Sequence, residues 1–169
     1  IKSSEKVDVK DQRKIENKLK MTYEKSYIDT ADYNEMCKMI KNTSQEKLFY
    51  QPLQFYIYKK DSLLSFGANC LYPGIKLNWN YYHQFDSLKY FIPYSLDTTF
   101  TYQNFVLQKF HKPLIDKSLN DTIIIVHYSS FLFKASKHFM SYINLVNNKI
   151  DQKSVHLVCM DEVFRDEMK

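Results

Sequence analysis

The stretch from Thr122 to Met160, TIIIVHYSSFLFKASKHFMSYINLVNNKIDQKSVHLVCM, decides the fold. Ile123 to Val126 is an unbroken β-branched run, which predicts a strand over Thr122 to Tyr128. Ala135, Phe139, Tyr142, Ile143, Val146 and Ile150 then keep a helical period, predicting a helix over Phe133 to Asn148. A second apolar run predicts a strand over Ser154 to Met160. Strand, helix and strand at this spacing make a β-α-β unit with parallel strands and a right-handed crossover.

Upstream of that unit the chain is dense in aromatics and turn residues. Leu53 to Tyr58 (LQFYIY), the polar turn Lys59-Lys60-Asp61-Ser62 and Leu63 to Phe66 predict a β-hairpin. Ile75 to Trp79 and Lys89 to Tyr94 are further expected strands, set off by Gly67-Ala68-Asn69 and Pro73-Gly74. Thr99 or Thr101 is expected to cap a short helix that Pro113 stops after His111. At the front, Ile15, Leu19, Tyr23 and Tyr27 recur every four residues and predict a helix over 8–27 with one narrow apolar stripe. Asp29 or Thr30 caps a second helix ending near Ile40, with Tyr33, Met36, Cys37 and Ile40 on its buried side. The expectation is an α+β chain: N-terminal helices forming a lead-in over 1–47, then a single domain over 48–169. That domain holds an aromatic-rich mixed sheet with a β-hairpin and the C-terminal β-α-β unit.

The 169 residues include 14 Tyr, 12 Phe and 1 Trp but only 2 Gly, so large rings replace much of the usual aliphatic core or furnish a contact surface. Tyr56, Tyr58, Trp79, Tyr81 and Tyr82 are the residues expected to form an exposed binding cluster, with core packing as the competing account. Net charge is +5 and almost all of the cations are Lys, whereas nucleic-acid sites favour the planar fork of Arg, so the composition argues against a nucleic-acid partner. Residues 1 to 60 hold 13 basic and 9 acidic groups, an excess that a solvated helical face explains. The longest apolar run is Ile123 to Val126, far short of a bilayer span, so no membrane segment is expected within the sequence. The first residue is Ile rather than Met, which leads us to expect a processed product or an excised segment.

No residue pattern here calls for catalysis, a metal or a cofactor. Cys37, Cys70 and Cys159 are far apart and form no C-x-x-C pair. His127 and His156 lie on the two expected parallel strands, but side-chain parity puts Cys159 opposite His156, and His83, His111 and His138 come from unrelated elements. Ser129 and Ser130 stand where a strand meets a helix, a place that suits an anion, yet the glycines of a phosphate loop are missing and a helix cap accounts for them better. The same junction is where a thioredoxin-like protein would carry its redox thiols. The pairs Asp161-Glu162 and Asp166-Glu167 read as solvated charges.

The hairpin FYIYKKDSLLSFGAN (Phe55 to Asn69) and the later FIPYSLDTTFTYQNFVLQKF (Phe91 to Phe110), behind a charged leading helix, resemble the extracytoplasmic sensor region of some bacterial sensor histidine kinases. Lys60, Asp61, Ser62 and Leu63, then Tyr102, Gln103, Asn104 and Leu107, carry the resemblance. Ser65-Phe66 departs from the Trp-Ser pair of that pattern, and the β-α-β tail has no counterpart in it. The resemblance implies an extracytoplasmic location and a leading helix whose packing shifts when an unidentified ligand or protein partner binds. Together the residues and the resemblance lead us to expect a non-enzymatic recognition module, a sensor or partner-binding domain, with self-association through the N-terminal helix. The alternative is a thioredoxin-like domain without redox cysteines that serves as a subunit of a larger assembly.

Overall fold

The structure is a computed structural model, and it describes residues 9–41, 51–60, 62–68, 106–147, 150 and 153–167. Its elements in order are α1 (Val9–Glu16), β1 (Glu24–Tyr27), α2 (Thr30–Ile40), β2 (Gln54–Lys59), β3 (Ser62–Ala68), a π-helical segment (Val106–His111) and α3 (Lys112–Lys117). There follow β4 (Thr122–Tyr128), a 3-10 turn (Ser130–Leu132), α4 (Phe133–Asn147), β5 (Lys153–Cys159) and α5 (Asp161–Glu167). The architecture is α+β, with one five-stranded sheet in the order β1-β5-β4-β2-β3.

The strands β1, β5 and β4 are parallel, and β2 runs antiparallel to both β4 and β3. The β-α-β unit and the hairpin are present as their periodicities require. Lys60 turns the hairpin with φ at 54°, and its amide donates to Asp121 O at 2.7 Å, fixing the turn against the start of β4. Asp29 caps α2 by accepting from the amides of Ala31 and Asp32, at 2.7 and 3.2 Å, leaving two fewer orphan donors at that helix end.

Strand alternation divides the core in two. On one face, Phe55, Ile57, Ile124, Val126, Val155 and Leu157 pack against Ile15 of α1 and Phe139, Met140 and Ile143 of α4. On the other, Tyr56, Tyr58, Ile123, Ile125 and Val158 pack beneath Tyr33 of α2, Ile115 of α3 and Val163 of α5. The parallel centre of the sheet is therefore aliphatic, as strands covered on both faces require. Its described aromatics are concentrated in β2, so the expected aromatic-rich sheet is corrected to an aliphatic one with an aromatic margin.

Three further expectations change. The helix expected over 8–27 stops at Glu16, and residues 24–27 form β1, whose residues pair with His156 to Cys159 of β5. Ile15 and Leu19 are buried in the main core and β1 joins the sheet, so residues 9–27 pack with the rest of the described fold, while Tyr27 at the end of the expected stripe stays exposed. Pro113 does not stop a helix at His111. It sits at the start of α3, where a missing N–H costs nothing, and helical structure continues to Lys117. The expected strands at 75–79 and 89–94 lie outside the described residues.

Candidate functional site

Two buried polar constellations flank the parallel strands. The first lies where those strands end. Asp161, the first residue of α5, is fully buried, and its carboxylate accepts from Gln12 Nε2 (2.7 Å), Ser129 Oγ (2.7 Å), Ser130 N (2.7 Å) and Ser130 Oγ (2.6 Å). Ser129 Oγ accepts in turn from the Phe131 amide and so caps the 3-10 turn before α4. The anion position at this junction is thus filled by the chain's own carboxylate, which is where a phosphate would otherwise meet the amides. Asp161 is not the solvated charge its place in an acidic pair suggested. The side chains of Asp166 and Glu167 lie outside the described residues.

Glu16 of α1 extends this network. Its carboxylate accepts from Lys25 Nζ (2.6 Å) and Tyr23 OH (3.3 Å), and from the buried hydroxyl of Tyr128. Burial and Glu16 together raise the Tyr23 pKa, and burial with Cys159 and Glu16 raises that of Tyr128. Burial alone would lower the Lys25 pKa, but its bonds to Glu16 and Tyr27 outweigh that and raise it. Every charge in the seam is matched by a partner, so α1 is clamped onto the strand ends by charge-assisted bonds.

Cys159 belongs to this seam, 3.4 Å from Gln12 Nε2. Burial, reinforced by the charge of Asp161, pushes its thiol up to about 12. A thiolate is therefore rare at neutral pH, and with it nucleophilic or redox chemistry at this sulfur. Iodoacetamide at pH 8 is expected to leave Cys159 unlabelled in the folded chain and to label it in urea, read by mass spectrometry of its peptide. Rapid labelling of the native protein would show the site to be open.

The second constellation is on the opposite face. Tyr58 OH shares a 2.6 Å hydrogen bond with His111 Nδ1, and His111 Nε2 lies 3.1 Å from His127 Nε2. One imidazole must donate and the other accept, so the link exists only while at least one of the two facing nitrogens lacks a proton. Tyr56 packs edge-on against His111 at 4.3 Å between centroids and bonds Gln54 Oε1 at 2.5 Å. Burial lowers the pKa of His127 to about 3. His111 is lowered well below its ordinary value, by burial first and then by His127 and His156.

His156 completes the cluster at the β1 side. It is buried, and neither ring nitrogen has a hydrogen-bond partner among the described residues; Glu24 Oε2 approaches Nδ1 only to 3.5 Å. Burial lowers its pKa while Glu24 pulls the other way. Among the described residues no three His, Cys, Asp or Glu side chains converge as a metal site.

Of the residues expected to form an exposed aromatic cluster, Tyr56 and Tyr58 are 3% and 2% exposed and belong to this interior, so the core-packing account holds for both. Trp79, Tyr81 and Tyr82 lie outside the described residues. Strand parity correctly put Cys159 on the face opposite His156. Sequence spacing gave no sign that His111 would meet His127, because that contact is made by the π-helical segment folding back over the sheet.

No family model matches this chain, and no curated protein or solved structure shows significant similarity to it.

Proposed function

We propose that this domain is a non-enzymatic recognition module, an extracytoplasmic sensor or partner-binding unit. The observation that supports this reading is a pair of exposed rings at the carboxyl ends of the parallel strands: Tyr27, closing β1, is 55% exposed, and Phe131, just past β4, is 47% exposed. Ligands of sheets with parallel strands gather at that end, and large rings concentrate contact energy. The polar groups beneath these rings are engaged with one another, which suits a rigid platform.

The sensor form of the proposal has an energetic requirement. A ligand that shifted α1 would have to break the bonds from Gln12 to Asp161 and from Glu16 to Tyr128 and Lys25. At about 1–3 kcal/mol for each charge-assisted bond, it must prefer the shifted arrangement by several kcal/mol. Photo-cross-linking residues placed at Tyr27 and at Phe131, with Asp116 on the opposite layer as control, test the surface in the native cell. Discrete adducts from the first two and none from the third are expected. Adducts at no position, or equally at all three, would overturn it.

The competing proposal, a thioredoxin-like subunit without redox cysteines, draws on Ser129 and Ser130, which stand between a parallel strand and the helix that follows it. It assigns the exposed rings to a permanent interface. The isolated chain would then aggregate on size exclusion, whereas a recognition module elutes as a single well-defined species.

A further inference from the structure

We propose that the outer surface of the α1/α4 layer docks on an anionic lipid bilayer. Residues 9–20 and 130–147 build this layer. The first segment carries five cations from Lys10 to Lys20, and the second adds Lys134 and Lys137, against Asp11 and Glu16 as the only acids. The resulting excess equals the +5 of the entire chain, so everything outside the layer is balanced in charge.

Geometry sharpens the asymmetry. On the opposite layer Lys109 pairs with Asp32 at 3.2 Å and Lys112 with Asp116 at 3.0 Å. On the α1/α4 layer Glu16 is buried beneath the helix and Asp11 is taken by Lys14 at 2.6 Å. Lys14 and Lys137 stand 5.6 and 4.9 Å from the centre of the Phe133 ring, which brings the cations of the two helices around one half-buried aromatic. Arg13, Lys18, Lys20 and Lys134 are exposed, as is Val9 at the outer end of α1.

Charge complementarity selects an anionic partner, and the kind of cation selects among anionic partners. Nucleic-acid recognition draws on the bidentate fork of Arg, which this layer offers once. A bilayer with anionic headgroups needs only point charges held near its surface and an occasional apolar contact, and each lysine there adds about a five-fold gain in partitioning. Because Ile15 of α1 is used in the protein core and Val9 is the one apolar side chain the helix leaves exposed, the attachment is electrostatic and peripheral, without insertion of the helix. The proposal stands apart from the recognition reading, since adducts at Tyr27 can form whether or not the chain binds lipid.

The test is flotation of the intact chain with vesicles of phosphatidylcholine alone or of phosphatidylcholine with phosphatidylserine. Binding is expected only to the mixed vesicles, and it should be lost at high salt. K134E/K137E is expected to weaken binding about 100-fold, with K10E/K18E as a second variant should the first fail to fold. K38E/K117E, which makes the same change in net charge on the opposite layer, should stay within about three-fold of the original. Absence of binding to the mixed vesicles at low salt, equal losses in variants of both layers, or tighter binding to duplex DNA than to vesicles at the same salt would each overturn the proposal.

Discussion

Acidification from pH 7 to pH 5 is expected to remove about 2 kcal/mol of stability through His127, with a further loss in the same direction from His111. Burial favours the neutral form of both rings, holding His127 at about 3 and His111 well below its ordinary range. In the unfolded chain each titrates near 6.5, so below that pH the unfolded state binds more protons than the folded one. Stability is thus complete above about pH 6.5 and falls as pH drops towards the folded values, at about 1.4 kcal/mol per pH unit for each ring. His156, lowered in the same direction, adds to the loss. Protonating both partners of the 3.1 Å His111–His127 contact would also place two N–H groups face to face. Urea midpoints measured from pH 7.5 to 5 should fall steeply, and His127→Gln should flatten the slope by about half. Midpoints constant over that range would show that the histidines are solvated in solution.

Asp161→Ala is expected to cost about 3–5 kcal/mol, a large fraction of what holds a domain of this size together. The substitution removes the acceptor of the Ser130 amide, leaves the Gln12 amide only its long contact to the Cys159 sulfur at 3.4 Å, and leaves the hydroxyl of Ser129 to find another partner. These donors are buried or partly buried, so water cannot simply replace the carboxylate. Equilibrium urea unfolding would measure the loss. A change below about 1 kcal/mol would mean that the seam between α1 and the strand ends contributes little.

How much of this could be read in the sequence varied with how local its causes were. The β-α-β unit was legible because Ile123 to Val126 and the period from Ala135 to Ile143 encode burial on both sides of a strand and on one side of a helix. The hairpin and the Asp29 cap were legible for the same reason, since turn and cap chemistry act over a few residues. β1 was not. Glu24-Lys25-Ser26-Tyr27 has one strand-forming residue, Tyr27, and its extension is completed by the ladder it makes with the edge of β5. The spacing of Ile15 and Leu19 continued misleadingly through Tyr23 and Tyr27. Leu19 is buried beyond the helix end, in a turn closed by bonds from Lys18 N to Ile15 O and Leu19 N to Glu16 O.

The candidate site was less legible than the fold, because both constellations join residues remote in sequence. Ser129 as a cap followed from local preference, but the carboxylate that accepts from it comes from Asp161, and a further donor to that carboxylate from Gln12. Aromatic abundance suggested a surface at Tyr56 and Tyr58, whereas alternation on a doubly covered strand buries them. Among the described residues the large exposed rings are Tyr27, on the strand that the periodicity concealed, and Phe131, in the turn after β4.

The pairing of β1 with β5 also sets an order of events. Tyr27 finds its partner in Cys159, and Gln12 reaches Asp161 across 149 positions. On a ribosome adding on the order of ten residues per second, the first strand waits more than about ten seconds for its neighbour to emerge. Until then its backbone and the apolar side of α1 have no sheet to join. Contacts this distant must be closed against chain entropy, which slows folding of the complete chain. Among the described residues, 9–27 are therefore the segment for which a nascent-chain chaperone has the longest window.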